Sequence, residues 1–327
     1  MNEELRSDIL QADLESQYDS HCKTVLASKT ILAWILRHTM LEFSDFTLEE
    51  IQNCIEETEI SPDYVPARRR AEKIMGLANE SNIPGEGAIS YDIRLAVYLP
   101  QGAERRKIYV NIEGQKDFHP GYHIWSRGIY YVSRMVSSQK GVDFSGEDYD
   151  SIRKVYSIWI CMNAPAYIGN AISEVSMAKR DIAPGIPNQE EFYDKMSIVQ
   201  ITLNEEKENP CSLTGMLNVL FSMNLRGKQK IQVLQEDYHI DLDTDLERKV
   251  NTMSNLGEYA VEYGYRKGMQ QGMQQGILQG KEQGVQTGQD QLILSMLRNH
   301  VSPEEISHIT SLPLERIHRA ATAANRG

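Results

Sequence analysis

Apolar and polar residues alternate over residues 91–99, where Ile93, Leu95, Val97 and Leu99 share one face and Asp92 takes the other. This spacing predicts a strand. A second strand is predicted over residues 107–115, with Val110 and Ile112 on the buried face and Asn111, Glu113 and Gln115 on the opposite one. Residues 100–106 between them are polar and carry Pro and Gly, the composition of an exposed hairpin connection. Pairing the two strands brings Asp92 towards Glu113.

Upstream, Val25, Leu26, Ile31, Leu32, Ile35 and Leu36 recur at helix spacing, and Thr47 with Glu50 forms a capping-box start, so residues 21–60 read as helical. Pro62 and Pro66 punctuate the chain. A basic helix then runs to about Asn79, and residues 83–87 lead into the first strand. After Gln115, residues 118–121 break the pattern, and Trp125, Ile129, Tyr130, Val132 and Val136 mark a helix covering the sheet. Residues 155–162 are nearly all apolar and predict a buried strand, and further strands are predicted over 173–177 and 198–203. The expected class is α/β, with four to six strands.

Residues 210–260 read as helical again, with Leu213, Met216, Leu217, Leu220 and Phe221 at core spacing. Then Gly264, Gly268, Gly272, Gly276, Gly280, Gly284 and Gly288 recur at every fourth position among Gln, Met, Lys and Glu. Seven glycines cost an isolated helix on the order of 6 kcal/mol relative to alanine. The segment is therefore a flexible polar linker, a repeat expanded by replication slippage without selection for structure, or a helix that a close neighbour stabilises, and a bare Gly stripe permits such an approach by a second copy of the chain. Residues 292–320 hold two short helix patterns with a capping-box start at Ser302 and Pro303. They have a helix-turn-helix outline without basic bias, which favours a packing or assembly module over a DNA reader. Four regions follow: 1–60, a helical layer; 61–260, the α/β core; 261–290, the Gly repeat; and 291–327, a small helical module.

A chain of 327 residues with 41% apolar and 24% charged residues can bury a sizeable core. No apolar run reaches membrane-spanning length and the start lacks a secretory pattern, so a cytoplasmic protein without membrane contact is expected. The four cysteines form no CxxC pair and predict reduced, packed thiols. A net charge of −12 argues against broad electrostatic binding of nucleic acid, so any DNA contact must be local. Arg105, Arg106 and Lys107 on the hairpin are the DNA-binding candidates, within expected reach of a phosphate near Asp92.

Two carboxylates on one strand face suit a hard divalent cation, which takes oxygen ligands, keeps several waters and accepts a substrate phosphate. The chemistry that follows is metal-assisted phosphodiester hydrolysis. Asp92, then about twenty residues, then Glu113, Gly114 and Gln115 resembles the PD-(D/E)XK nuclease pattern in the Rpn (recombination-promoting nuclease, transposase-like) branch, where Gln replaces the usual Lys. Residues 127–131, the turn at 141–144 before Tyr149, the strand at 155–162 and the Gly-repeat tail are similar to that family too.

The resemblance implies a restriction-endonuclease-like mixed sheet flanked by helices, with a C-terminal helical tail. It implies a DNA endonuclease in which Asp92, Glu113 and the Gly114 carbonyl hold Mg2+ or Mn2+. Asp92, Glu113 and Gln115 would be catalytic, with Gln115 orienting the water or the phosphate. Glu86 and Arg127 are implied helpers, Arg127 through a phosphate. A homodimer would place two sites on one DNA. The other expectation is a catalytically silent DNA-binding or assembly protein that keeps the fold.

Overall fold

The computed structural model describes residues 16–60, 80–83, 87–90, 92–101, 104–209 and 212–324. Near the N-terminus the helix-spaced apolar residues fold as α1 (residues 16–26), α2 (Lys29–Thr39) and α3 (Leu48–Cys54). The capping box at the start of α3 is present, with Thr47 and Glu50 each satisfying the other's backbone N–H. Residues 55–60 depart from the helical expectation: Ile55–Ile60 is strand β1, paired antiparallel with a strand some forty residues later. It lies at one edge of the sheet.

A short hairpin of β2 (Glu80–Ile83) and β3 (Gly87–Ser90) precedes the central pair, β4 (Ile93–Gln101) and β5 (Glu104–Gln115). Their register runs from Ile93 opposite Ile112 to Gln101 opposite Glu104. The hairpin connection is therefore shorter than residues 100–106, because most of that stretch lies in the strands. Pro100 is tolerated there because the ladder of β1 on β4 reaches only Val97, so no β1 carbonyl lacks a donor at the proline.

After β5 come α4 (Ile124–Ser137), β6 (Val155–Cys161), β7 (Ala171–Ser176), the single turn α5 (Glu190–Tyr193) and β8 (Met196–Thr202). The sheet order is β1-β4-β5-β6-β8-β7, with β5, β6 and β8 parallel and the other pairings antiparallel. The architecture is α/β, a mixed sheet flanked by helices. All seven residues of β6 are buried because both of its faces are covered. Tyr156, Ile158 and Ile160 join Val110, Ile112 and the residues of α1–α3 in the larger core. Val155, Trp159 and Cys161 join Tyr109 and, from α4, Tyr131, Val132 and Met135 in the smaller one.

Helices α6 (Ser212–Phe221), α7 (Gly227–Glu236) and the first turns of α8 (Thr244–Arg298) complete the larger core through Leu217, Leu234 and Val250. The chain divides into two compact units, residues 1–260 and 261–327. In the second unit the Gly repeat is helical throughout as part of α8. Beyond it, α9 (Pro303–Thr310) and α10 (Leu314–Ala324) pack Ile306 and Ile317 on Ile293. Cys22, Cys54 and Cys161 are free and buried, and Cys211 lies outside the described residues. No helix among the described residues is long and apolar enough to cross a membrane.

Candidate active site

Asp92 immediately precedes β4 and falls opposite Glu113 in the register of β5, so the two carboxylates close one end of the central hairpin. The closure is reciprocal. The Asp92 backbone N–H donates to Glu113 Oε1 at 3.2 Å, and the Gly114 N–H donates to Asp92 Oδ2 at 3.1 Å. Side chains here take over the ladder that backbone atoms carry elsewhere. In a strand the carbonyl leaves on the same side as the N–H of its residue, so the Gly114 carbonyl faces the Asp92 edge as well.

Glu113 is 5% exposed, and its Oε1 also accepts a bond from Asn111 Nδ2 at 2.9 Å. Alternation placed Asn111, Glu113 and Gln115 opposite Val110 and Ile112. It did not show that this second face is itself buried beneath α4. Glu113 thus lies opposite Val110 and Ile112, as the alternation requires, yet is buried. Burial, and then the neighbouring Asp92 charge, push the Glu113 carboxyl up to about 8. Burial likewise raises Asp92, against the pull of Lys23.

Lys23 is the residue that sequence reasoning missed. Its Nζ lies 3.0 Å from Asp92 Oδ1 and 3.0 Å from Asp19 Oδ2, one turn earlier on α1. Helix α1 is fixed there by Cys22, Val25 and Leu26 in the larger core, and a Cβ placed on Gly114 would stand 4.0 Å from Leu26 Cδ1. Nothing in the spacing of residues 91–115 points to a helix so far upstream. Only the Asp19 and Lys23 pair at helical i,i+4 spacing was visible.

Arg127 on α4 donates to the Tyr131 hydroxyl from Nη2 at 2.7 Å and also to Tyr122, and its guanidinium lies 5.4 Å from the Trp159 ring. Trp159 pairs with Glu113 across the β5–β6 ladder, and the Arg127 charge favours the ionised form of Glu113. Arg127 thus belongs to the site. The Gln115 carbonyl accepts the Met162 N–H at 2.8 Å, and its side chain follows Glu113 on the same face of β5. Glu86 lies outside the described residues.

Arg105, Arg106 and Lys107 are not beside the carboxylates. They occupy the turn end of the hairpin, opposite the end that Asp92 and Glu113 close, and Lys107 is six residues from Glu113 on β5. At about 3.4 Å per residue that is about 20 Å. Arg106 and Lys107 have acidic partners there, Glu42 at 4.0 Å and Asp143 at 3.5 Å.

Among the described residues no group of three or more His, Cys, Asp or Glu side chains comes together. The oxygen set at Asp92 is smaller, comprising two carboxylates and the Gly114 carbonyl. Asp92 Oδ1 meets Lys23 and its Oδ2 accepts from the Gly114 N–H, while Glu113 Oε1 accepts from the Asp92 N–H and Asn111. The buried Asn111 Oδ1 meets no donor among the described residues, so this acceptor oxygen is one electropositive partner short. The chain matches no protein-family model, no curated protein and no solved structure.

Proposed function

We propose that the chain is a metal-dependent DNA endonuclease of the restriction-endonuclease-like, transposase-associated Rpn type. The observation that carries this reading is the pair of half-buried Asp92 and buried Glu113 at the end of the central hairpin. Two adjacent carboxylates that the protein itself pushes towards the neutral form are a centre arranged for a cation. Asp92, Glu113 and the Gly114 carbonyl would hold Mg2+ or Mn2+. Bound there, the ion would stabilise charge on the scissile phosphate and acidify a water. The Gln115 amide orients that water or the phosphate, and Arg127, held over Trp159 by tyrosine hydroxyls, offers its charge to a phosphate oxygen. We also propose that two copies pair through the helical Gly repeat, so that two sites serve the two strands of one DNA.

A second reading has its own observation. Asp92 already receives Lys23 on one oxygen and the Gly114 N–H on the other, as in a structural ion pair. On that reading the chain keeps the fold as a silent DNA-binding or assembly protein.

Plasmid cleavage with Mg2+ or Mn2+ against EDTA separates the two. Nuclease chemistry requires cleavage by the wild type, its loss in EDTA, and a loss of roughly a hundredfold or more in Glu113→Gln and Asp92→Asn, whose circular dichroism stays native. Metal-dependent cleavage that persists in both variants would show that the activity lies elsewhere.

A further inference from the structure

We infer that Lys23 of α1 supplies the side-chain cation of the Asp92–Glu113 centre, and that it acts on the phosphate of the substrate from outside the strand pair. This rests on the nuclease reading above. Position 115, two residues beyond Glu113 on the same face, carries a neutral amide. The ammonium beside Asp92 comes from a helix, not from the strand that carries Glu113. Lys23 Nζ touches Asp92 Oδ1 at 3.0 Å and Asp19 Oδ2 at 3.0 Å. Those contacts use two of the three N–H donors of an ammonium, which leaves one for a substrate oxygen.

The lysine is also held in place. Its side chain is 21% exposed, and the neighbouring Cys22, Val25 and Leu26 are buried in the core, with Leu26 facing the bare Cα of Gly114. Asp19 holds the ammonium from the α1 side, so its position does not depend on Asp92 alone. A surface ion pair contributes little and wanders, whereas a lysine anchored by its own helix keeps its charge beside the reacting phosphate. A compact ammonium is the cation for such a place, being a point charge that needs no bidentate geometry.

The test is steady-state cleavage by Lys23→Met and Lys23→Gln, together with each of these in combination with Gln115→Lys. If Lys23 acts on the phosphate, kcat falls roughly a hundredfold while KM changes by less than about threefold. A lysine introduced at position 115 then recovers at least tenfold of the loss. A lysine that only fastens α1 to the sheet would lower the melting temperature, leave kcat within about twofold at a temperature where the variant is folded, and gain nothing from Gln115→Lys. That pattern would overturn the inference while leaving the nuclease reading intact. A wild-type protein that cuts no DNA with either metal overturns both. Using one apolar and one polar replacement keeps a folded variant in hand if the other fails to fold.

Discussion

Glu113 has to be accommodated by the fold before it can serve any chemistry, and its environment sets a pH dependence. Burial and the Asp92 charge raise its carboxyl from the ordinary 4.5 to about 8, and Asp92 is raised as well. The folded state therefore binds these protons more tightly than the unfolded chain does. The slope of stability with pH follows the unfolded-minus-folded proton count, which is negative here. The favourable contribution is fully present below the ordinary carboxylate range and is lost as pH rises towards about 8. The melting temperature should fall between pH 5 and pH 8, and Glu113→Gln should remove most of that fall. Gln keeps the oxygen that accepts from the Asp92 N–H and from Asn111, so the variant should be the more stable protein at pH 8, by up to about 5 kcal/mol at about 1.4 kcal/mol per pKa unit. Mg2+ at pH 8 should raise the wild-type melting temperature and leave the variant where it was, because only the charged pair gains from the ion. Scanning calorimetry at the two pH values reads all of this, and a wild type whose stability is flat over that range would remove the claim of a strained carboxylate.

At the scale of elements, the site depends on how closely α4 approaches the sheet. A Cβ on Gly128 would lie 2.6 Å from Ile198 Cγ2 and 3.3 Å from Trp159 Nε1, so the helix rests on β6 and β8 with no room for a methyl group. Ile198 is β-branched and stiff, and Trp159 is tied to Ser157 Oγ at 2.8 Å, so neither yields easily. Gly128→Ala should cost about 1–3 kcal/mol in a denaturant melt, and by displacing the adjacent Arg127 it should lower cleavage as well. An unchanged denaturation midpoint would show that α4 is not seated as described.

This contact was not legible beforehand, and the reason is general to the fold. Alternation in β4 and β5, the apolar run of β6 and the capping boxes at Thr47 and Ser302 are local signals, and each element formed where its pattern lay. Ile55–Ile60 carries no local strand signal and becomes one only through its pairing with β4. In the same way, period-two spacing separates two faces of β5 without saying that a helix covers the second. The burial of Glu113 and the arrival of Lys23 were both hidden for that reason, while Asp92 and Glu113 could be paired from their register alone.

For the whole molecule, the open question is what the Gly stripe of α8 meets. The helix forms, yet a Cβ added at any of Gly264, Gly268, Gly272, Gly276, Gly280, Gly284 or Gly288 would find nothing within 4 Å. Beside the stripe, Tyr265, Met269, Met273 and Ile277 are all exposed. Within one copy, alanine should therefore be welcome at every one of these positions and should favour the helix by about 1 kcal/mol each. A second copy packed on the stripe reverses the sign at the crossing only. At 3.6 residues per turn each four-residue step overshoots a full turn by about 40°, so the stripe winds around the helix and two straight helices share only two or three consecutive glycines. The proposed dimer thus predicts a positional effect. Alanine at Gly272, Gly276 and Gly280 together should raise helicity at 222 nm and convert the dimer to a monomer in light scattering at tens of micromolar. Alanine at Gly264 and Gly288 should raise helicity and leave the dimer intact. If the dimer survives both the central triple variant and the alanines at Gly264 and Gly288, or the wild type is already a monomer at that concentration, the stripe is not the contact between copies.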